Sequence, residues 1–157
     1  MYFGLSEEQQ FFQESIDKFL EDTVTVDALR SYRTGEDDNL IDNVFNGLNE
    51  LGLCGLIIPE KYGGLGLDSL FAISVSESLG KGIAPYPFIG SFLIAPFLIN
   101  KLGSDSQKQK YLPSIATGDY RFALALTEMT GKRIESGIQN SNQKLSGQSL
   151  FVMDDTN

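Results

Sequence analysis

Residues 51–68 read LGLCGLIIPEKYGGLGLD. Glycines at 55, 63, 64 and 66, together with Pro59, exclude a regular helix or strand across this stretch. Leu56, Ile57 and Ile58 still need burial, so the segment is expected to be a long irregular connection that is packed rather than floppy. What flanks it sets the fold. Upstream, Leu40, Val44, Leu48 and Leu51 recur at i, i+4, i+8 and i+11, with Ile41 and Phe45 widening the apolar face. Gly52 closes this amphipathic helix. Downstream, Asp68 can N-cap a helix with Phe71, Val75 and Leu79 on its buried face, ending at Gly80 or Gly82.

Further out the pattern stays helical. Ser6 and Gln9 have capping-box spacing, and Phe12, Ile16, Phe19 and Leu20 then form one stripe. The β-branched run Thr23–Val26 weakens that helix, and TGEDDN at 34–39 reads as a loop. Phe88 to Leu102 is apolar nearly all round, which predicts a central helix of a bundle that Pro96 kinks or splits. Ser104 can cap a short helix ending before Pro113, and TGDY at 117–120 is a turn.

The period then changes. RFALALTE (121–128), ESGIQNS (135–141) and KLSGQSLFVMDD (144–155) are short, β-prone and separated by Gly, Asn and Ser, with QNSNQ (139–143) as a hairpin turn. The expected fold is mainly α: a helical domain over 1–120 followed by an incomplete β segment over 121–157. So short a sheet leaves edges and an apolar face open. It is expected to be covered by a partner, to dimerise, or to be poorly ordered.

Composition narrows the chemistry. The net charge of −9 argues against a nucleic-acid partner. The first 60 residues hold thirteen acidic and three basic residues, net −10, and the remainder is +1, so only the second part suits an anionic ligand. No histidine is present, which removes Ser-His-Asp and Cys-His catalysis and histidine-built metal sites. Cys54 is the single cysteine and reads as a buried small hydrophobe in a reducing compartment. MYFGLSEEQQ lacks the basic and apolar regions of a signal peptide, and no stretch is long enough to span a bilayer. A soluble cytoplasmic protein is expected.

Four segments, in order and at matching spacing, resemble the N-terminal part of the flavin-dependent acyl-CoA dehydrogenases. FGLSEEQQFFQESIDKFLED (3–22) is similar to that family's opening helix. The stretch 51–68 resembles its loop L-G-x-x-x-x-x-x-P-E-x-Y-G-G-x-G, which is the most specific match. LGSDSQKQKYLPSIATGD (102–119) resembles the exit from its helical domain, and ALALTE (123–128) resembles its first flavin-contacting strand. In that family an all-α domain precedes a β middle domain and a C-terminal helical domain. The resemblance therefore implies the first domain and the start of the second.

The family reaction removes two hydrogens across the α and β carbons of an acyl-CoA thioester. A glutamate takes the proton and FAD takes the hydride. In most members that glutamate lies in the C-terminal domain, so no catalytic base is nominated here, and no metal ligands are expected. Glu60 is expected to be a loop-stabilising hydrogen-bond acceptor, and Glu128 to be structural. By resemblance, Leu124, Leu126 and Thr127 lie beside the flavin ring, with the Thr127 hydroxyl and strand-end backbone on its pyrimidine edge. Phe151 takes the position of an aromatic residue that packs on the ring. Met153 stands where a hydroxyl residue usually donates near N5, and a thioether cannot donate.

The loop after Thr127 departs from the family pattern T-E-P-x-A-G-S-D. On that register Arg133 replaces a serine that helps hold the pyrophosphate, and Ile134 replaces the aspartate. Three readings stay open. Arg133 with Lys132 holds the pyrophosphate by charge-assisted bonds, the flavin site is degenerate, or both cations are a solvated loop face. The implied partners are an acyl-CoA substrate and other subunits, as a homo-oligomer or a hetero-oligomer. Two other functions compete with an enzyme segment that is inactive alone. They are a non-catalytic subunit of a heteromeric dehydrogenase and an acidic helical interaction module.

Overall fold

The computed structural model describes residues 4–125, 138–149 and 152–154. Helix α1 spans Glu7–Thr23, α2 Val26–Thr34, α3 Leu40–Glu50, α4 Ser69–Lys81, α5 Ala95–Leu102 and α6 Asp105–Ala116. The fold is mainly α with a short β segment, as expected. The caps foreseen at Ser6, Asp68 and Ser104 are made. The Ser6 hydroxyl accepts from the Gln9 amide at 3.2 Å, while the Gln9 side chain accepts from the Ser6 amide at 2.9 Å. The expected stripe on α1 points inward, with Ile16 and Leu20 buried against α3 and α4.

Three expectations need correction. Thr23–Val26 does end α1, but Thr25 then N-caps a new helix, α2, by accepting from the Ala28 amide at 3.1 Å. No residue of α2 is buried, so no wide apolar stripe announces it. The helix after Ser104 does not stop before Pro113. It runs to Ala116, because Leu112 and Ile115 are fully buried and hold its last turn against the core. The apolar stretch from Phe88 is divided beside Pro96, as expected: it begins as a π-helix, Phe88–Ile94, and becomes α5 at Ala95. Pro96 would crowd the Phe92 carbonyl in an α-helix, and the wider turn before it relieves that conflict. Nor is this stretch central throughout. Phe88 and Phe92 are buried, but Phe97 is 51% exposed and Leu102 is 80% exposed. An all-round apolar surface here faces the core at one end and open space at the other.

The connection between α3 and α4 is packed, as its apolar residues required. Leu53, Leu56 and Ile58 are fully or almost fully buried. Its two arms pair through backbone bonds: Leu65 N to Gly55 O at 2.9 Å, Gly66 N to Ile58 O at 2.8 Å, and Leu67 N to Leu56 O at 2.9 Å. Gly64 sits where the arms touch, and a Cβ there would overlap the Ile58 carbonyl oxygen.

The strands are short. β1, Leu124–Ala125, pairs antiparallel with β4, Val152–Met153, in the register Leu124 to Met153 and Ala125 to Val152. β2, Gln139–Ser141, and β3, Lys144–Ser146, form the expected hairpin. Its turn places Asn142 at φ 52° and Gln143 at φ 61°, the doubly left-handed geometry that matches strand twist.

Candidate functional site

Phe122 leaves α6 and its turn to open β1. Its ring stands edge-on to Tyr111, with centroids 5.6 Å apart at 85°. Beyond it, Leu124 and Met153 face each other across the β1–β4 pair, both half-buried. Two residues that the sequence placed at the flavin, 29 positions apart, are thus brought together by strand pairing. Leu126, Thr127, Arg133 and Phe151, with Glu128 and Lys132, lie outside the described residues.

The strand pair heads a groove of about 390 Å³ between α5 and α6, lined chiefly by Leu98, Ile99, Leu102, Tyr111, Phe122 and Leu124. Among the described residues no charged side chain lines it. The exposed apolar end of α5 is one of its walls. Such a groove suits an apolar chain, and no carboxylate among the described residues lines it.

Two hydrogen-bonding features secure the strand pair to the helices. Asp154, directly after Met153, accepts through Oδ2 from the Gly90 amide at 2.6 Å and the Ser91 amide at 2.9 Å. The fully buried Ser91 hydroxyl donates to the Phe122 carbonyl at 2.9 Å. The Arg121 guanidinium lies 3.6 Å from the centre of the Phe45 ring, anchoring the chain just before β1. Sequence reasoning missed Asp154, Gly90 and Ser91. The available signal was a small, polar pair inside an otherwise apolar run.

Away from the groove, Cys54 is buried but is not a plain hydrophobe. Its thiol and the Tyr86 hydroxyl both donate to Asn49 Oδ1 at 2.6 Å. Burial pushes the Cys54 thiol up to about 11, against smaller opposing effects of the Tyr86 hydroxyl and Arg121, and burial raises Tyr86 as well. Cys54 is therefore a poor nucleophile near neutral pH. Glu60 is exposed, and its carboxylate has no hydrogen bond among the described residues. The loop contact at this position is its backbone carbonyl, which accepts from Gly63 N at 2.9 Å. The acceptor role expected of its side chain is thus taken by the main chain. Among the described residues no group of three potential metal ligands occurs, and no helix is long and apolar enough to cross a membrane.

Residues 6–119 match the family described as acyl-CoA dehydrogenase, N-terminal domain. The chain is 33% identical to mitochondrial isovaleryl-CoA dehydrogenase of Pongo abelii over 129 residues, which is 80% of this chain and 30% of that protein. Among solved structures, it resembles butyryl-CoA dehydrogenase from Megasphaera elsdenii at TM-score 0.73 and 28% identity, covering 97% of this chain and 42% of the other. An acyl-CoA dehydrogenase complexed with FAD from Bacillus anthracis matches at TM-score 0.69 and 25% identity, covering 96% and 27%. The chain spans less than half the length of each of these proteins.

Proposed function

Because the chain belongs to the acyl-CoA dehydrogenase family, we propose that it supplies the helical wall and first flavin-facing strands of an FAD-dependent acyl-CoA dehydrogenase. The division into a helical domain, 1–120, and the beginning of a middle β domain, 121–157, belongs to this reading. The carrying observation is that Leu124, which lines the groove at its head, is paired across the strands with Met153, and that no charged side chain among the described residues lines that groove. An apolar acyl chain lies in the groove, between α5 and α6. The half-buried Leu124–Met153 pair offers a surface for a flat heteroaromatic ring. The bound flavin supplies the hydride acceptor for α,β-dehydrogenation of the thioester. Residues of this chain orient the acyl chain and keep water from it.

No carboxylate among the described residues lines the groove, so the base that takes the α-proton comes from outside the described residues, and the segment alone is inactive. Thr127, Leu126 and Phe151 complete the ring contacts. Arg133, with Lys132, neutralises the pyrophosphate. The protein works in the cytoplasm as an oligomer, with an acyl-CoA as substrate.

Reconstitution of the full-length protein with FAD tests this. Yellow flavin absorption that bleaches on adding an acyl-CoA is expected, and Arg133→Ala should weaken FAD binding about tenfold. Absence of bound flavin after reconstitution refutes it. One observation favours a second reading, a non-catalytic subunit in a heteromeric dehydrogenase: Met153 cannot donate a hydrogen bond where a hydroxyl residue is usual. Co-purification with a second, flavin-loaded subunit distinguishes that case.

A further inference from the structure

We propose that Asp154 is a positioning residue. With Ser91 it ties the β1–β4 pair to the first turn of the π-helix and so sets where Leu124, at the head of the α5–α6 groove, and its strand partner Met153 stand. The functional meaning of this latch rests on the flavin reading above, while the latch itself does not.

The first N–H groups of any helix lack partners within it and need an acceptor from elsewhere. Gly90 and Ser91 present two such consecutive amides. One oxygen of Asp154 takes both, at 2.6 and 2.9 Å, across 63 to 64 residues of sequence. A carboxylate accepting from backbone amides makes a stronger bond than a neutral group does. The same turn holds the other strand, because the Ser91 hydroxyl bonds the Phe122 carbonyl at 2.9 Å, two residues before Leu124. A single helical turn therefore holds both strands at the ends that carry Leu124 and Met153.

Two further features admit this approach. A Cβ on Gly90 would stand 2.5 Å from Asp154 Oδ2 and 3.1 Å from its Cγ, so a larger residue at 90 would push the carboxylate away. Asp154 itself adopts φ 60°, a left-handed conformation rare outside glycine and tolerated best by Asn and Asp. That turn directs its carboxylate back to the helix immediately after Met153.

The test is amide hydrogen exchange on the full chain, with FAD binding and the flavin spectrum read in parallel. Asp154→Ala should speed exchange at Gly90, Ser91 and residues 124–125 and 152–153 about tenfold or more, leaving α1 and α4 unchanged. It should also shift the flavin absorption band. Asp154→Asn keeps an acceptor oxygen and should restore most of both readouts. Ser91→Ala should loosen 124–125 while Gly90 stays protected, and it serves if Asp154→Ala fails to fold. Wild-type exchange rates in Asp154→Ala and Ser91→Ala overturn the latch. Faster exchange with an unchanged flavin spectrum and affinity overturns the positioning role. A wild-type chain that binds no FAD refutes the flavin reading alone, and the exchange result at 124–125 and 152–153 still decides the latch.

Discussion

Replacing Gly64 with alanine puts one methyl group between the two arms of the α3–α4 connection. The added Cβ would overlap the Ile58 carbonyl oxygen and stand 2.5 Å from Ile58 Cβ and 2.7 Å from the Gly55 carbonyl oxygen. These are backbone neighbours, so no rotamer change relieves them. The arms must separate, and separation strains the bonds that Gly55 O and Ile58 O accept from Leu65 and Gly66 at 2.9 and 2.8 Å. Two weakened backbone hydrogen bonds plus overpacking amount to a loss of about 3 to 5 kcal/mol. The neighbouring Gly63 is a control of different origin. Its φ is 84° and nothing lies within 4 Å of an added Cβ, so Gly63→Ala should lose only the left-handed penalty of about 1 to 2 kcal/mol. Gly80, in α4 with open space beside it, should gain up to about 1 kcal/mol as alanine. Urea unfolding followed by circular dichroism measures all three. A Gly64→Ala loss within about 1 kcal/mol of the Gly63→Ala loss refutes the close-approach argument.

Three other outcomes are expected. Cys54 is raised to about 11 from an ordinary value of 9.0, so between those values the unfolded chain binds fewer protons than the native one. The Cys54 contribution to stability should therefore fall by on the order of 2 kcal/mol as pH rises from 9 to 11, and Cys54→Ala should flatten the curve between pH 9 and 10, where Tyr86, itself raised by burial from 10.0, adds little, as measured by urea titration at each pH. Phe92 is fully buried and stacks on Tyr86 at 5.4 Å, so Phe92→Ala should lose about 3 to 5 kcal/mol in the same unfolding assay. Gln143 holds φ 61° in the hairpin turn, so Gln143→Gly should stabilise β2–β3 by about 1 kcal/mol, read as slower amide exchange across Gln139–Ser146.

The helical part was legible wherever a local rule acts over a few residues. The caps read at Ser6, Asp68 and Ser104 each act within one turn and each forms, Ser6 with Gln9, Asp68 with Leu70 and Phe71, and Ser104 with Gln107. Misreadings arose where packing overrode a local signal. Pro113 should end a helix, but burial of Leu112 and Ile115 carries α6 past it. The all-round apolar surface of 88–102 suggested burial, yet the end carrying Phe97 and Leu102 is open. Composition states that such a surface needs cover and does not state which neighbour provides it. Of the site residues named from resemblance, Leu124 and Met153 stand together, and the remaining four lie outside the described residues.

What the amino-acid order determined by itself was local: helix spans set by a 3.6-residue period, caps set by side chains three positions away, and the family signature carried by Pro59-Glu60 and Tyr62-Gly63-Gly64. What only the tertiary structure decided was pairing across long separations. Asp154 with Gly90 and Ser91, Ser91 with Phe122, Leu124 with Met153, and Asn49 with Tyr86 are examples. The physical reason is that a buried donor or acceptor must find a partner, but many residues of the right type compete for it along the chain. Which one reaches it depends on where the helices pack and how the strands register, and that choice is made in three dimensions.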